Sequence, residues 1–157
     1  MPPTRPYRGR RMPTAADRAT IGLSYDPHAE LEHLGIPVLR EWLRDTLGVW
    51  APQHQVVIIA DGLSLVEERC VLAHELEHIL AGDVGCGGSA GLRAEHRADQ
   101  RAARKLIAVS DFCRVRQWAP DQWQMADELQ VTPWMLRARM DDLEGASRWP
   151  GMSKIAG

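Results

Sequence analysis

His74, Glu75 and His78 stand together in VLAHELEHIL, residues 71–80, where an otherwise apolar run carries two histidines and two glutamates. Histidines four positions apart lie one turn apart on the same face of a helix. Their ring nitrogens can converge on one ion, and a His-Glu-x-x-His pattern on a helix is a zinc-binding arrangement. Glu75 lies on the flank of that face, where a carboxylate can hold an attacking water and take its proton. Zinc lowers the pKa of a bound water to near 7, so hydrolysis needs no strong base. A plainer reading of the same residues is an amphipathic helix that shows His and Glu to solvent, so a third ligand is required.

A helix expected over residues 92–109 offers one. With Glu95 at zero on its wheel, Asp99 falls roughly 40° away, and Ala98, Ala102 and Leu106 fall within about 60°. Both carboxylates therefore share the apolar face, while Arg93, Arg97, Arg101 and Arg104 take the other side, toward solvent or an acidic partner. Carboxylates buried without a counter-charge are costly. Glu95 on the metal and Asp99 on the outer nitrogen of a liganding histidine would meet both costs. Asp83 and His96 compete as third ligands, and Cys86 is a further accessory candidate. The pattern that adds Gly and His three and six residues beyond His78 is excluded, because Ala81 and Val84 stand there. Three protein ligands leave an open, catalytic position, whereas a fourth from Asp83 or Cys86 favours a structural ion.

The elements that must position these groups are legible in outline. Gln55 to Ala60, QVVIIA, is continuous and β-branched, the strongest strand in the chain. Asp61-Gly62 is a turn; Ser64 and Glu67 form a capping box for a helix that runs to about Ala81 and stops at Gly82. Upstream, a short helix is expected over residues 29–33. After Gly35, the spacing of Val38, Leu39, Trp42, Leu43 and Leu47 predicts a helix from Pro37, with a strand over residues 36–39 as the alternative. Residues 83–91, containing GCGG, read as a loop. Beyond the second metal helix, Pro120 opens a helix with Trp123, Met125, Ala126 and Leu129, and another covers residues 134–143.

VEERCVLAHELEHILAGD, residues 66–83, followed by AEHRADQRAARKLI, residues 94–107, resembles the ImmA/IrrE family of zinc metallopeptidases, particularly its short phage-encoded members, within the wider gluzincin group. YDPHAELEHLGIPV and VVIIADGLS extend the likeness, which covers about residues 25–109. The resemblance implies one zinc ion held by His74, His78 and Glu95, Glu75 as general base, and Asp99 bonded to a ligand histidine. It also implies a small α/β, or α+β, zincin-like fold, with a short sheet beside the active helix and a helical C-terminal part. The substrate implied is a protein, a repressor-like regulator of a phage or mobile element. Arg101 and Arg97 depart from the family's frequent aromatic and acidic residues at those places. A substrate strand is expected to pair with an exposed edge near residues 55–60.

The remaining chain divides into a basic, proline-rich arm over residues 1–24, a metallopeptidase core over 25–112, a helical part over 113–145 packed on the core, and a flexible tail over 146–157. WQMADELQVTPWMLRARMDDL, residues 123–143, is similar to a helix-turn-helix with Thr132 as cap, although Gln130 replaces the frequent turn glycine. Trp134, Arg137 and Arg139 are candidate partner contacts, the arginines for DNA. The alternative is a helical hairpin in which Trp118, Trp123 and Trp134 pack or dock. A net charge of −2 gives no reason to expect a general nucleic-acid coat. Three cysteines without CxxC spacing, no signal-like apolar start and no membrane-length apolar run point to the cytoplasm, that of the host if the protein is phage-encoded. The rival functional class is a zinc-containing protein- or DNA-binding regulatory module without peptidase activity.

Overall fold

A computed structural model describes residues 25–84 and 88–147. The basic arm, Cys86 and residues 148–157 lie outside the described residues. The fold is a small α+β arrangement in which a three-stranded sheet lies beside the helix carrying His74 and His78, and the C-terminal region is helical.

Helix α1, Pro27–His33, starts earlier than expected because the Asp26 carboxylate accepts from the amides of His28 and Ala29 and proline fits the first helical position. The helix expected after Pro37 is absent. Two strands stand there instead, β1 at Val38–Glu41 and β2 at Gly48–Ala51, so the strand alternative for the first part was the correct one. The apparent helical stripe was misleading because it is not buried: Leu39 is 48% and Trp42 77% exposed. Pairing with β3, Val56–Ala60, decided the backbone instead.

The sheet order is β1-β3-β2, with β1 parallel and β2 antiparallel to β3. Both sides of β3 are therefore paired, which overturns the expectation that residues near 55–60 offer a free edge. The edge next to the metal helix belongs to β2. Val57 and Ile59 of β3 turn inward onto Leu72 and Leu76, with Leu31 of α1 closing the cluster.

Helix α2, Leu65–Ala81, has the expected ends. Ser64 accepts from the Glu67 amide, the Glu67 carboxylate accepts from the Ser64 amide, and Gly82 adopts a left-handed conformation with φ of 68°. Helix α3, Gly88–Leu106, reclaims part of the glycine-rich stretch expected to be loop, and ends before residue 109. Ala94, Ala98, Ala102 and Ala103 give it a small-residue face, fully or nearly buried, that lets it approach its neighbours closely. A separate helix, α4 at Val109–Arg116, was not foreseen; its cap position is Ala108, which offers no side-chain bond, and no Gly or Pro marks the break.

Helix α5 is Gln122–Glu128, capped by Asp121, and α6 is Pro133–Ser147, longer than expected at both ends. Gln130, in the left-handed region at φ 53°, takes the place of the turn glycine between them, and its carbonyl accepts from Arg69 of α2 at 3.0 Å. Met135 and Leu136 of α6 are buried with Ala102, Ala103 and Ile107 in a second, helical cluster that also includes Cys70 and Ala73 of α2. Helix α2 is thus wedged between two cores, which explains how so polar a sequence came to be buried. Among the described residues, no helix is long and apolar enough to cross a membrane.

Candidate metal centre

His74 and His78 project from α2 toward the start of α3, and their Nε2 atoms lie 3.0 Å apart. Glu95 of α3 meets both: Oε2 is 3.1 Å from His74 Nε2, and Oε1 is 3.1 Å from His78 Nε2. In a tetrahedral site with bonds of 2.0–2.1 Å, ligand atoms are about 3.3 Å apart. The observed separations come close to that.

The outer nitrogens decide what the inner ones can do. His74 Nδ1 lies 2.8 Å from Asp99 Oδ1, and His78 Nδ1 lies 3.1 Å from Asp83 Oδ2. Opposite a carboxylate, Nδ1 carries the hydrogen and donates it. In the neutral imidazole this leaves a bare lone pair on each Nε2. Two such lone pairs and the Glu95 carboxylate then face one another with no donor between them, an arrangement that a cation resolves. Donor set, spacing and outer bonds therefore fit a single Zn²⁺, and His74, His78 and Glu95 form a His-Glu-x-x-His…Glu cluster of gluzincin type.

Two expectations change here. Asp83, weighed as a ligand, sits instead on the outer side of His78. The left-handed Gly82 turns the chain back so that the Asp83 amide bonds to the His78 carbonyl at 3.0 Å while its carboxylate meets the ring. Glu95 is not buried, since 57% of its side chain is exposed to the cleft. Its desolvation cost is smaller than its place on the wheel implied. His96 is exposed and does not join the cluster, and Cys86 lies outside the described residues.

Glu75 is buried beside the histidines. Burial pushes its carboxyl above the usual carboxylate range, against the pull of His74, His78 and the Trp50 amide. That amide, on the outer edge of β2, donates to Glu75 Oε2 at 2.8 Å. Burial works against a charged His74, yet the Asp99 bond and the charges of Glu75, Asp99 and Glu95 outweigh it and raise the ring above an ordinary histidine. The β2 strand can come this close because residue 48 is glycine. A Cβ there would fall under 3.0 Å from Val71 Cγ1 and 3.2 Å from Glu75 Oε1. Sequence reading missed both Gly48 and the Trp50 amide, although a glycine within a strand is itself a sign of close backbone approach.

The arginines of α3 are not all free on an outer face. Arg101 Nε donates to the buried Glu77 at 3.0 Å, and Lys105 Nζ lies 2.8 Å from the other oxygen of that carboxylate. Arg104 pairs with Asp142 of α6. Arg139 is buried, donating to the Ile107 carbonyl at 3.0 Å and to Asp142 at 2.6 Å, so it is turned away from any partner. Arg137 is exposed and pairs with Asp141. Trp134 lies at the metal cleft, whereas Trp118 and Trp123 are on the surface. Tyr25 donates to Glu30 at 2.6 Å, and burial followed by that carboxylate raises its pKa; it is not part of the cleft.

Compared with known proteins, the chain matches no family model and no curated sequence.

Proposed function

We propose that this chain is a zinc-dependent endopeptidase of the ImmA/IrrE kind, hydrolysing peptide bonds of a repressor-like regulator in the cytoplasm. The observation that carries the reading is the convergence of the His74, His78 and Glu95 lone pairs with a buried carboxylate, Glu75, alongside. His74, His78 and Glu95 would hold the ion. When bound, zinc supplies Lewis acidity, lowering the pKa of water and polarising a carbonyl.

Glu75 positions a water and accepts one of its protons as the oxygen adds to the scissile carbonyl carbon. The same carboxyl then delivers that proton to the leaving amine nitrogen as the carbon–nitrogen bond breaks. The Trp50 amide keeps Glu75 aimed, and Asp99 and Asp83 hold the two imidazoles in the tautomer that leaves Nε2 free. The cleft that runs along β2 is where an extended substrate segment would lie.

A structural ion would call for a fourth protein ligand. Asp83 is committed to the outer nitrogen of His78, and the metal-ligating group found among the described residues has three members. The deciding experiment measures zinc content and cleavage of phage-type repressors for the wild type and Glu75→Gln. Near one zinc per chain in both, with cleavage only by the wild type, is the expected result. Zinc-dependent repressor binding without cleavage would shift the reading to a regulatory binding module.

A further inference from the structure

The cleft beside the metal cluster has a volume of about 610 Å³, a size suited to holding part of a ligand. Leu47, Val49 and Trp50 around β2 and Val71 of α2 contribute apolar walls, and Trp134 at the start of α6 closes another side. The ionisable lining consists of His74 and His78 with the carboxylates of Glu75, Asp83, Glu95 and Asp99. Among the described residues no lysine or arginine lines it.

Trp134 is held firmly from behind. Its chain neighbours Met135 and Leu136 are buried in the helical core, and the Thr132 hydroxyl accepts from the Met135 amide at 3.4 Å. Asp142 clamps the same helix to Arg104 of α3. Even so, Trp134 is 37% exposed and meets the His74 ring edge-on, with centroids 6.1 Å apart and planes at 83°. Anchored this way, the indole leaves apolar surface in water at the lip of the cleft, and so do Leu47 at 43% and Val49 at 40% exposure. That surface is recovered only when something apolar covers it. The charge of the lining adds a second criterion, since an acidic side chain there would meet four carboxylates, which outnumber the charge of one bound divalent ion, and no lysine or arginine.

We propose that Trp134 is a specificity-determining residue that seats a large apolar or aromatic substrate side chain beside the bond to be cut, while the carboxylates turn away acidic residues at that position. This rests on the peptidase reading above and adds that the C-terminal helix α6, not only the metal helices, selects the substrate.

The test digests a proteome-derived peptide library with the zinc-loaded full chain and maps the cut sites by mass spectrometry. One position flanking the cut should be enriched in Phe, Leu, Met or Trp and depleted in Asp and Glu. Trp134→Ala should reduce the apolar enrichment by roughly tenfold, the scale of a hydrophobic pocket contact, and Trp134→Phe should restore most of it. If Trp134→Ala lowers the melting temperature, Trp134→Gln keeps part of the bulk, loses the apolar face and makes the same comparison. A separate binding arm uses zinc-loaded Glu75→Gln with two short peptides that differ only in a central Phe or Ala. The Phe peptide should bind more tightly, and adding Trp134→Ala should abolish the difference. Cleavage with an unchanged preference in Trp134→Ala would overturn this proposal and leave the peptidase reading intact. If the wild type cuts nothing, the peptidase reading falls and the binding arm alone decides the apolar seat, an equal affinity for both peptides overturning it.

Discussion

Replacing Gly48 by alanine probes the contact between β2 and α2 that brings the edge strand to Glu75. In an ordinary strand position the change would stabilise the protein by about 0.4–1 kcal/mol, because alanine restricts the unfolded chain. Here the new methyl falls under 3.0 Å from Val71 Cγ1, and Val71 is 4% exposed and, as a β-branched residue within a helix, stiff about its first side-chain torsion. Overpacking of this kind costs about 1–3 kcal/mol and should outweigh the unfolded-state gain. At about 2–4 °C per kcal/mol for a chain of this size, the melting temperature should fall by several degrees. Val71→Ala alone should cost roughly 1.5–3 kcal/mol through lost burial and a cavity. The double variant should recover part of both losses, because the second change makes room for the first; a coupling of about 0.5–3 kcal/mol is expected from urea denaturation of all four proteins. Strict additivity, or a Gly48→Ala protein as stable as the wild type, would refute the close approach.

Asp99→Asn and Asp83→Asn should each weaken zinc binding about 10- to 100-fold, read by competition with a chromogenic chelator, with equal affinity to wild type as the contrary result. The Arg104 hydrogen bond holds the Asp142 carboxyl below its usual range, so its contribution is fully present above the unfolded value of 3.8 and is lost as pH falls through the lower folded value. Asp142→Asn should therefore lower the melting temperature strongly at pH 7, where it removes the buried Arg139's carboxylate partner, and progressively less as the pH falls below 3.8; a loss that does not diminish on acidification would count against the pairing. Ser64→Ala should cost about 1 kcal/mol by removing the cap of α2, measured by thermal or urea unfolding.

The metal cluster was readable because its determinants are local and periodic. Two histidines a turn apart, a capping box and a terminal glycine are all written within α2, and Glu95 and Asp99 repeat the same one-turn spacing on α3. What escaped reading was non-local. β1 and β2 exist because β3 pairs with them, and a stripe of Leu39, Trp42 and Leu47 carries no sign that it remains exposed. The inward turn of Arg139 depends on Asp142 and on a carbonyl of a distant helix, neither of which the wheel of α6 reveals. Asp83 is visible in the sequence as a nearby carboxylate, but only the left-handed geometry of Gly82 tells which side of His78 it reaches.

The two carboxylates behind the histidines arrive by different routes. Asp83 lies five positions past His78, so that half of the grip is complete once a single helix and its terminal turn have formed, whereas Asp99 and Glu95 arrive only when α3 docks. An ion held here would therefore draw on two levels of structure, one local to α2 and its terminal turn and one that needs α3 in place. Zinc affinity would then serve as a gauge of how well those two helices have come together, and saturating metal should raise stability by drawing on that same linkage.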